Sequence, residues 1–168
     1  MRTIKTMAYA AVLAATGCAG SMVAERHSLY PTQADTDYAR VYIMRPQAQR
    51  TRGVADSPVN IEVAREKLAE LAQGEYILVY IKSPATDLVT RNLTNLTTKP
   101  MPIEVWRARH FNFETGQDYF IVLRQDYEEF RGIYYIPEAV DKTQALQLAE
   151  HLKAAGPLAT QRPLAALQ

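Results

Sequence analysis

Asp37 to Arg45, DYARVYIMR, is the stretch that decides the fold class. Ala39, Val41 and Ile43 fall on one side of an extended chain, and Tyr38, Tyr42 and Met44 on the other. Pro46 then ends the run. A period of two closed by proline predicts a β-strand. The same signal recurs downstream. Val59, Ile61 and Val63 alternate with Asn60 and Glu62. Gly74 introduces Glu75 to Ile81 (EYILVYI), a buried-strand pattern stopped by Ser83-Pro84. Leu88 to Leu96 is Thr-rich and carries a weaker strand signal. Ile103 to Arg109 (IEVWRAR) is another strand, and Phe111 and Phe113 prolong it towards Glu114-Thr115-Gly116-Gln117. Tyr119 to Arg124 follows, so the two segments read as a hairpin. Gly132 to Ile136 is the last strand, with Pro137 as its close.

A helix is expected at about 141–155. Asp141 is placed to cap it, with Gln144 three residues on, and Ala145, Leu148, Ala149 and Leu152 form one apolar stripe. Gly156 and Pro157 supply the stop. Residues 157–168 read as a loose tail. One segment conflicts with this scheme: Ala64 to Ala72, AREKLAELA, has high helix propensity yet lies between two strand signals. It reads either as a short helix or as an irregular strand pair. The expected fold is therefore mainly β (α+β), a small antiparallel β-sandwich with one C-terminal helix, over residues 37–156. Alternating apolar faces supply its core, so it should fold as a monomer without metal or cofactor.

The first 17 residues form a separate unit. Arg2 and Lys5 are a positive start, Met7 to Ala15 an apolar stretch, and Thr16 and Gly17 are small. This is the layout of a secretory signal. The apolar stretch falls far short of the ~20 residues a spanning helix needs. Ala15-Thr16-Gly17-Cys18 resembles a bacterial lipobox, with Ala15 where Leu is usual. The resemblance implies that Cys18 is the lipid attachment site and the first residue of the mature protein. Residues 18–36 then form a lipidated N-terminus and tether. Ala19 after the cysteine resembles the default outer-membrane signal, facing the periplasm.

The bulk composition narrows the function. Of 19 Lys and Arg, Arg2 and Lys5 fall in the signal, so 17 basic side chains beyond it face 18 acidic ones. That balance gives no electrostatic reason to expect nucleic acid. The single Cys excludes an internal disulfide and Cys-based zinc sites.

Ala39 to Pro46, ARVYIMRP, resembles the opening strand of a family of small bacterial lipoprotein domains of unknown function. The other matching elements are Val59 to Val63, Leu71-Ala72-Gln73-Gly74-Glu75-Tyr76 and Gly116-Gln117-Asp118-Tyr119-Phe120. Ala64-Arg65-Glu66-Lys67 and Ser83-Pro84-Ala85 depart from the family pattern. The resemblance implies a small β-sandwich and no established chemistry.

No catalytic or metal motif stands out. His27, His110 and His151 lack metal-ligand spacing, and surface or packing roles are expected. Ser28, Ser57 and Ser83 lie in no nucleophile motif. Asp126, Glu128 and Glu129 read as a solvated acidic run. Arg107, Arg109 and His110 form a basic cluster beside Trp106. Arg107 and Arg109 share the strand face opposite Trp106, which reads as a solvated outer face. The many tyrosines read chiefly as sheet packing. Asn92 and Asn95 open glycosylation sequons that match by chance in a bacterial lipoprotein. The expected function is a lipid-anchored, non-catalytic envelope module, structural or binding a protein or polymer. An accessory subunit of a secretion or transport complex is the alternative, and an envelope enzyme the third class.

Overall fold

The structure is a computed structural model that describes residues 38–48, 57–82, 85–96, 100–128 and 131–167. Its strands are β1 (Ala39–Arg45), β2 (Val59–Val63), β3 (Glu66–Leu71), β4 (Glu75–Ile81), β5 (Ala85–Thr94), β6 (Ile103–Asn112), β7 (Asp118–Glu128), β8 (Gly132–Val140) and β9 (Lys153–Ala154). Helices α1 (Lys142–Ala149) and α2 (Gly156–Gln161) and a 3-10 turn (Leu164–Leu167) complete it. One sheet has the order β8-β7-β1-β4-β9 and the other β3-β2-β5-β6.

The two faces of β1 organise the layers, because alternate side chains of a strand point to opposite sides. Val41 and Ile43 join Val79, Ile81, Ile121 and Leu123 against Ile61, Val63, Leu71 and Leu88 of the second sheet. Tyr42 and Met44 join Tyr76, Leu78, Tyr80 and Phe120 on the opposite face, under Ala145, Ala159 and Leu164. The molecule is thus a β-sandwich with a helical layer on one outer face. That layer explains why EYILVYI is apolar throughout: β4 is buried on both sides.

The first sheet is mixed, so the expected small antiparallel sandwich is antiparallel throughout only in its second sheet. β1 runs antiparallel to β4 but parallel to β7, and β9 parallel to β4. The expected hairpin of 103–113 with 119–124 does not form either. β6 pairs with β5, whereas β7 pairs with β1 and β8. The chain crosses between sheets at an aromatic corner, where Phe113 packs edge-on against Tyr119 at 4.9 Å. The Tyr119 hydroxyl accepts from the Glu114 amide at 2.8 Å.

Of the two readings of the helix-prone segment, the irregular strand pair is the one that forms. β2 and β3 join through Ala64 and Arg65, both at positive φ (52° and 66°), the geometry of the tight hairpin turn. Their register shifts beside Ile61 and Glu62, where Leu68 is the extra residue of a bulge. The bulge resets strand parity, so Leu68 and Leu71 both reach the core although three residues apart. Helix-like spacing here is a strand with one extra residue.

The C-terminal expectations change most. Asp141 does cap α1, accepting from the Gln144 amide at 2.8 Å. The helix ends at Ala149, not near 155, because the chain then runs beside β4. Lys153 and Ala155 amides donate to the Gly74 and Tyr76 carbonyls, both at 2.8 Å. Gly156 and Pro157 do not stop a helix; they open α2, where proline's fixed φ suits the first turn. Residues 157–167 are not a loose tail. Ala159 and Leu164 are buried, and the Leu164 amide donates to the Tyr76 hydroxyl at 3.2 Å. The domain therefore extends past 156 to Leu167. β8 likewise continues through Pro137 to Val140, which an edge strand tolerates.

Candidate functional site

The Thr-rich strand β5 closes the sandwich. Its inward face carries Thr86, Leu88, Thr90, Asn92 and Thr94, all buried. Thr90, Asn92 and Thr94 bond the outer edge of β8, whose backbone groups would otherwise be buried without them. Thr90 Oγ1 donates to the Tyr135 carbonyl, and Asn92 Nδ2 donates to the Ile133 carbonyl at 3.0 Å. Thr94 Oγ1 accepts from the Ile133 amide at 2.9 Å. Gly132 lies against this contact at φ +90°, and a Cβ there would sit 2.3 Å from Thr94 Oγ1. Only glycine fits. Asn92 is therefore structural, whereas Asn95 is exposed.

Arg107 reaches past the same edge. Its guanidinium carbon lies 3.5 Å from the Tyr134 ring centre, and Nη2 bonds Glu128. Glu128 also meets Arg131 at 3.4 Å. Glu138 pairs with Arg124 at 2.9 Å and Arg109 at 3.8 Å. This corrects the outer-face expectation. Arg107 and Arg109 do lie opposite Trp106, but that face turns towards β8. It is Trp106, with Glu104, Ala108 and His110, that faces outward. Along β6, Glu104 to Ala108 line an open groove of about 560 Å³, with Arg131 and Tyr134 as its other wall.

The remaining sequence candidates scatter. His110 Nδ1 lies 2.8 Å from Asp87, both exposed, and His151 is exposed after α1. Asp126 accepts from the Tyr127 amide at 3.0 Å, so the acidic run is partly engaged by arginine and partly by backbone. The Ser57 carbonyl accepts from Arg45 at 2.9 Å. Cys18, His27, Ser28, Ser83 and Glu129 lie outside the described residues. Among the described residues, no group of three or more metal-capable side chains occurs, and no helix is long and apolar enough to cross a membrane.

Two features escape the sequence reading. Arg45 is 0% exposed at the interior end of β1. Its Nη1 donates to the Ser57 and Leu71 carbonyls at 2.9 and 2.8 Å, and Nη2 to the Tyr135 hydroxyl at 2.9 Å. The only hint is that Arg45 continues the Ala39-Val41-Ile43 parity. Under the helical layer, Tyr42 is the second feature. Burial raises its pKa to about 12, assisted by Asp118 and Tyr80, while Arg40 bonded to Asp118 opposes this. The folded chain thus favours the neutral phenol. Its contribution is fully present below pH 10 and lost as pH rises towards about 12. Tyr42→Phe should flatten that loss relative to the unsubstituted chain, as read from urea unfolding at a series of pH values. Identical slopes would show that Tyr42 is not the group responsible.

What this arrangement offers chemically is a surface of paired charges and one exposed indole above a closed sandwich. No family model, curated protein or solved structure matches the chain.

Proposed function

We propose that this chain is a bacterial envelope lipoprotein, anchored through Cys18 to the periplasmic side of the outer membrane. Its domain serves there as a non-catalytic structural or binding module. The observation that carries the reading is the order of positive start, apolar stretch and Ala15-Thr16-Gly17-Cys18. A thiol is needed to take the lipid, and small neighbours give the processing peptidase access. The resemblance of ARVYIMRP to lipoprotein domains of unknown function supports it. So does the engagement of the conspicuous charges: Glu128 and Glu138 are each held by two arginines, and His110 pairs with Asp87 on an exposed strand. These are surface pairs rather than groups converging on a reacting centre.

The test is Cys18→Ser in a diderm host fed a labelled fatty acid. Label should be abolished and unprocessed precursor should accumulate. A Ser variant that is processed and fractionates like the unsubstituted chain would sink the reading.

A further inference from the structure

The large hydrophobic side chains exposed among the described residues gather at one end of the sandwich. Leu93 is 43% exposed, Met101 73%, Trp106 56% and Tyr127 62%. Register brings them together. Thr94 pairs with Ile103 where β5 and β6 end, Leu93 stands opposite Glu104 and diagonal to Trp106, and Met101 lies two residues before Ile103. Thr94 bonds the Ile133 amide, and Ile133 stands opposite Tyr127. The chain enters the domain at the other end, where the Gly116 amide donates to the Tyr38 carbonyl at 2.9 Å. Nine residue steps along β7 separate Asp118 at that end from Tyr127, roughly 30 Å of strand.

We propose that this hydrophobic tip is a second membrane contact, seated shallowly in the headgroup layer of the bilayer that holds Cys18. The inference rests on the lipid-anchored reading above. Isolated exposed hydrophobics need no explanation, but four that strand register brings to one end of the sandwich do. Trp and Tyr combine an apolar ring with a polar tip and favour the membrane interface. Arg131, 71% exposed, stands at the rim where lipid phosphates would lie. Glu104 beside Trp106 limits the depth, since a carboxylate is costly in hydrocarbon.

Chain length makes the geometry reachable. Twenty residue steps separate Cys18 from Tyr38. A chain of that length has a full extension of roughly 70 Å. It can return along the strand length and place the far tip on the membrane that holds the anchor. The domain would then lie along the bilayer with its entry end raised.

Trp106 is the chain's one tryptophan, so its fluorescence reports the tip alone. The full lipidated protein is reconstituted into phosphatidylethanolamine–phosphatidylglycerol vesicles, with and without brominated acyl chains, and floated on a density gradient. The expected result is that it floats, Trp106 emission is blue-shifted, and brominated lipid quenches it. Both spectral effects should be lost in the double variant Met101→Asp, Tyr127→Asp. These side chains are exposed, so its melting should be unchanged. A floating protein whose Trp106 is quenched by acrylamide but not by brominated lipid overturns the tip contact and leaves the anchor standing. Protection from both quenchers also overturns it, in favour of a protein partner or second copy on the tip. A protein that does not float overturns the anchor, and the tip with it.

Discussion

Replacing Arg45 by methionine is expected to destabilise residues 19–168 by about 3–5 kcal/mol, measured by urea unfolding. Methionine keeps the apolar stem but removes every donor. The Leu71 carbonyl and the Tyr135 hydroxyl would each lose a bond in the interior, and the part-buried Ser57 carbonyl one at its margin. A buried polar atom left without a partner costs about 1–3 kcal/mol. The guanidinium also lies 4.6 Å from the Tyr135 ring centre, so a stacking contact goes as well. Arg45→Lys should recover only part of the loss, because an ammonium cannot span partners spread over β3, β8 and the Ser57 region as a planar fork does. A methionine variant within about 1 kcal/mol of the unsubstituted chain would mean that Arg45 is not the clasp its bonds suggest.

The second large effect concerns the C-terminus. Deleting residues 157–168 should cost about 4–6 kcal/mol, a substantial share of an ordinary domain's stability. The deletion removes Ala159 and Leu164 and the partly buried Leu158 and Leu167 from above Tyr42, Met44 and Tyr76. It also deprives the Tyr76 hydroxyl of the Leu164 amide. A dye that binds exposed apolar surface should bind the shortened chain, and its melt should broaden and move down. A shortened chain that melts cooperatively at the original temperature would restore the loose-tail reading.

Much of the sandwich was legible from local pattern. DYARVYIMR, VNIEV and EYILVYI place β1, β2 and β4, and YFIVLR marks β7, because alternation or an unbroken apolar run reports burial directly. Asp141 and Gln144 mark the start of α1, since capping involves only neighbouring residues. Arg107 was legible as a basic residue opposite Trp106, but not as a stack on Tyr134. That contact depends on which sheet edge lies across from β6.

The sequence by itself determined the strand-rich character, the positions of most strands, the cap of α1 and the signal-like segment ending at Cys18. Tertiary structure alone decided the pairing of β1 with β7 and of β6 with β5, because hydrogen-bonding partners are chosen across the chain and leave no local period. It decided AREKLAELA for the irregular strand pair over the short helix, since a bulge against β2 rewards helical spacing with burial. It also set the inward face of β5. The Thr-rich stretch gives only a weak strand signal, and Thr90, Asn92 and Thr94 find their partners in backbone groups at the edge of β8. Polarity in a sequence reports which atoms must find hydrogen bonds; only the fold decides whether water or another strand provides them.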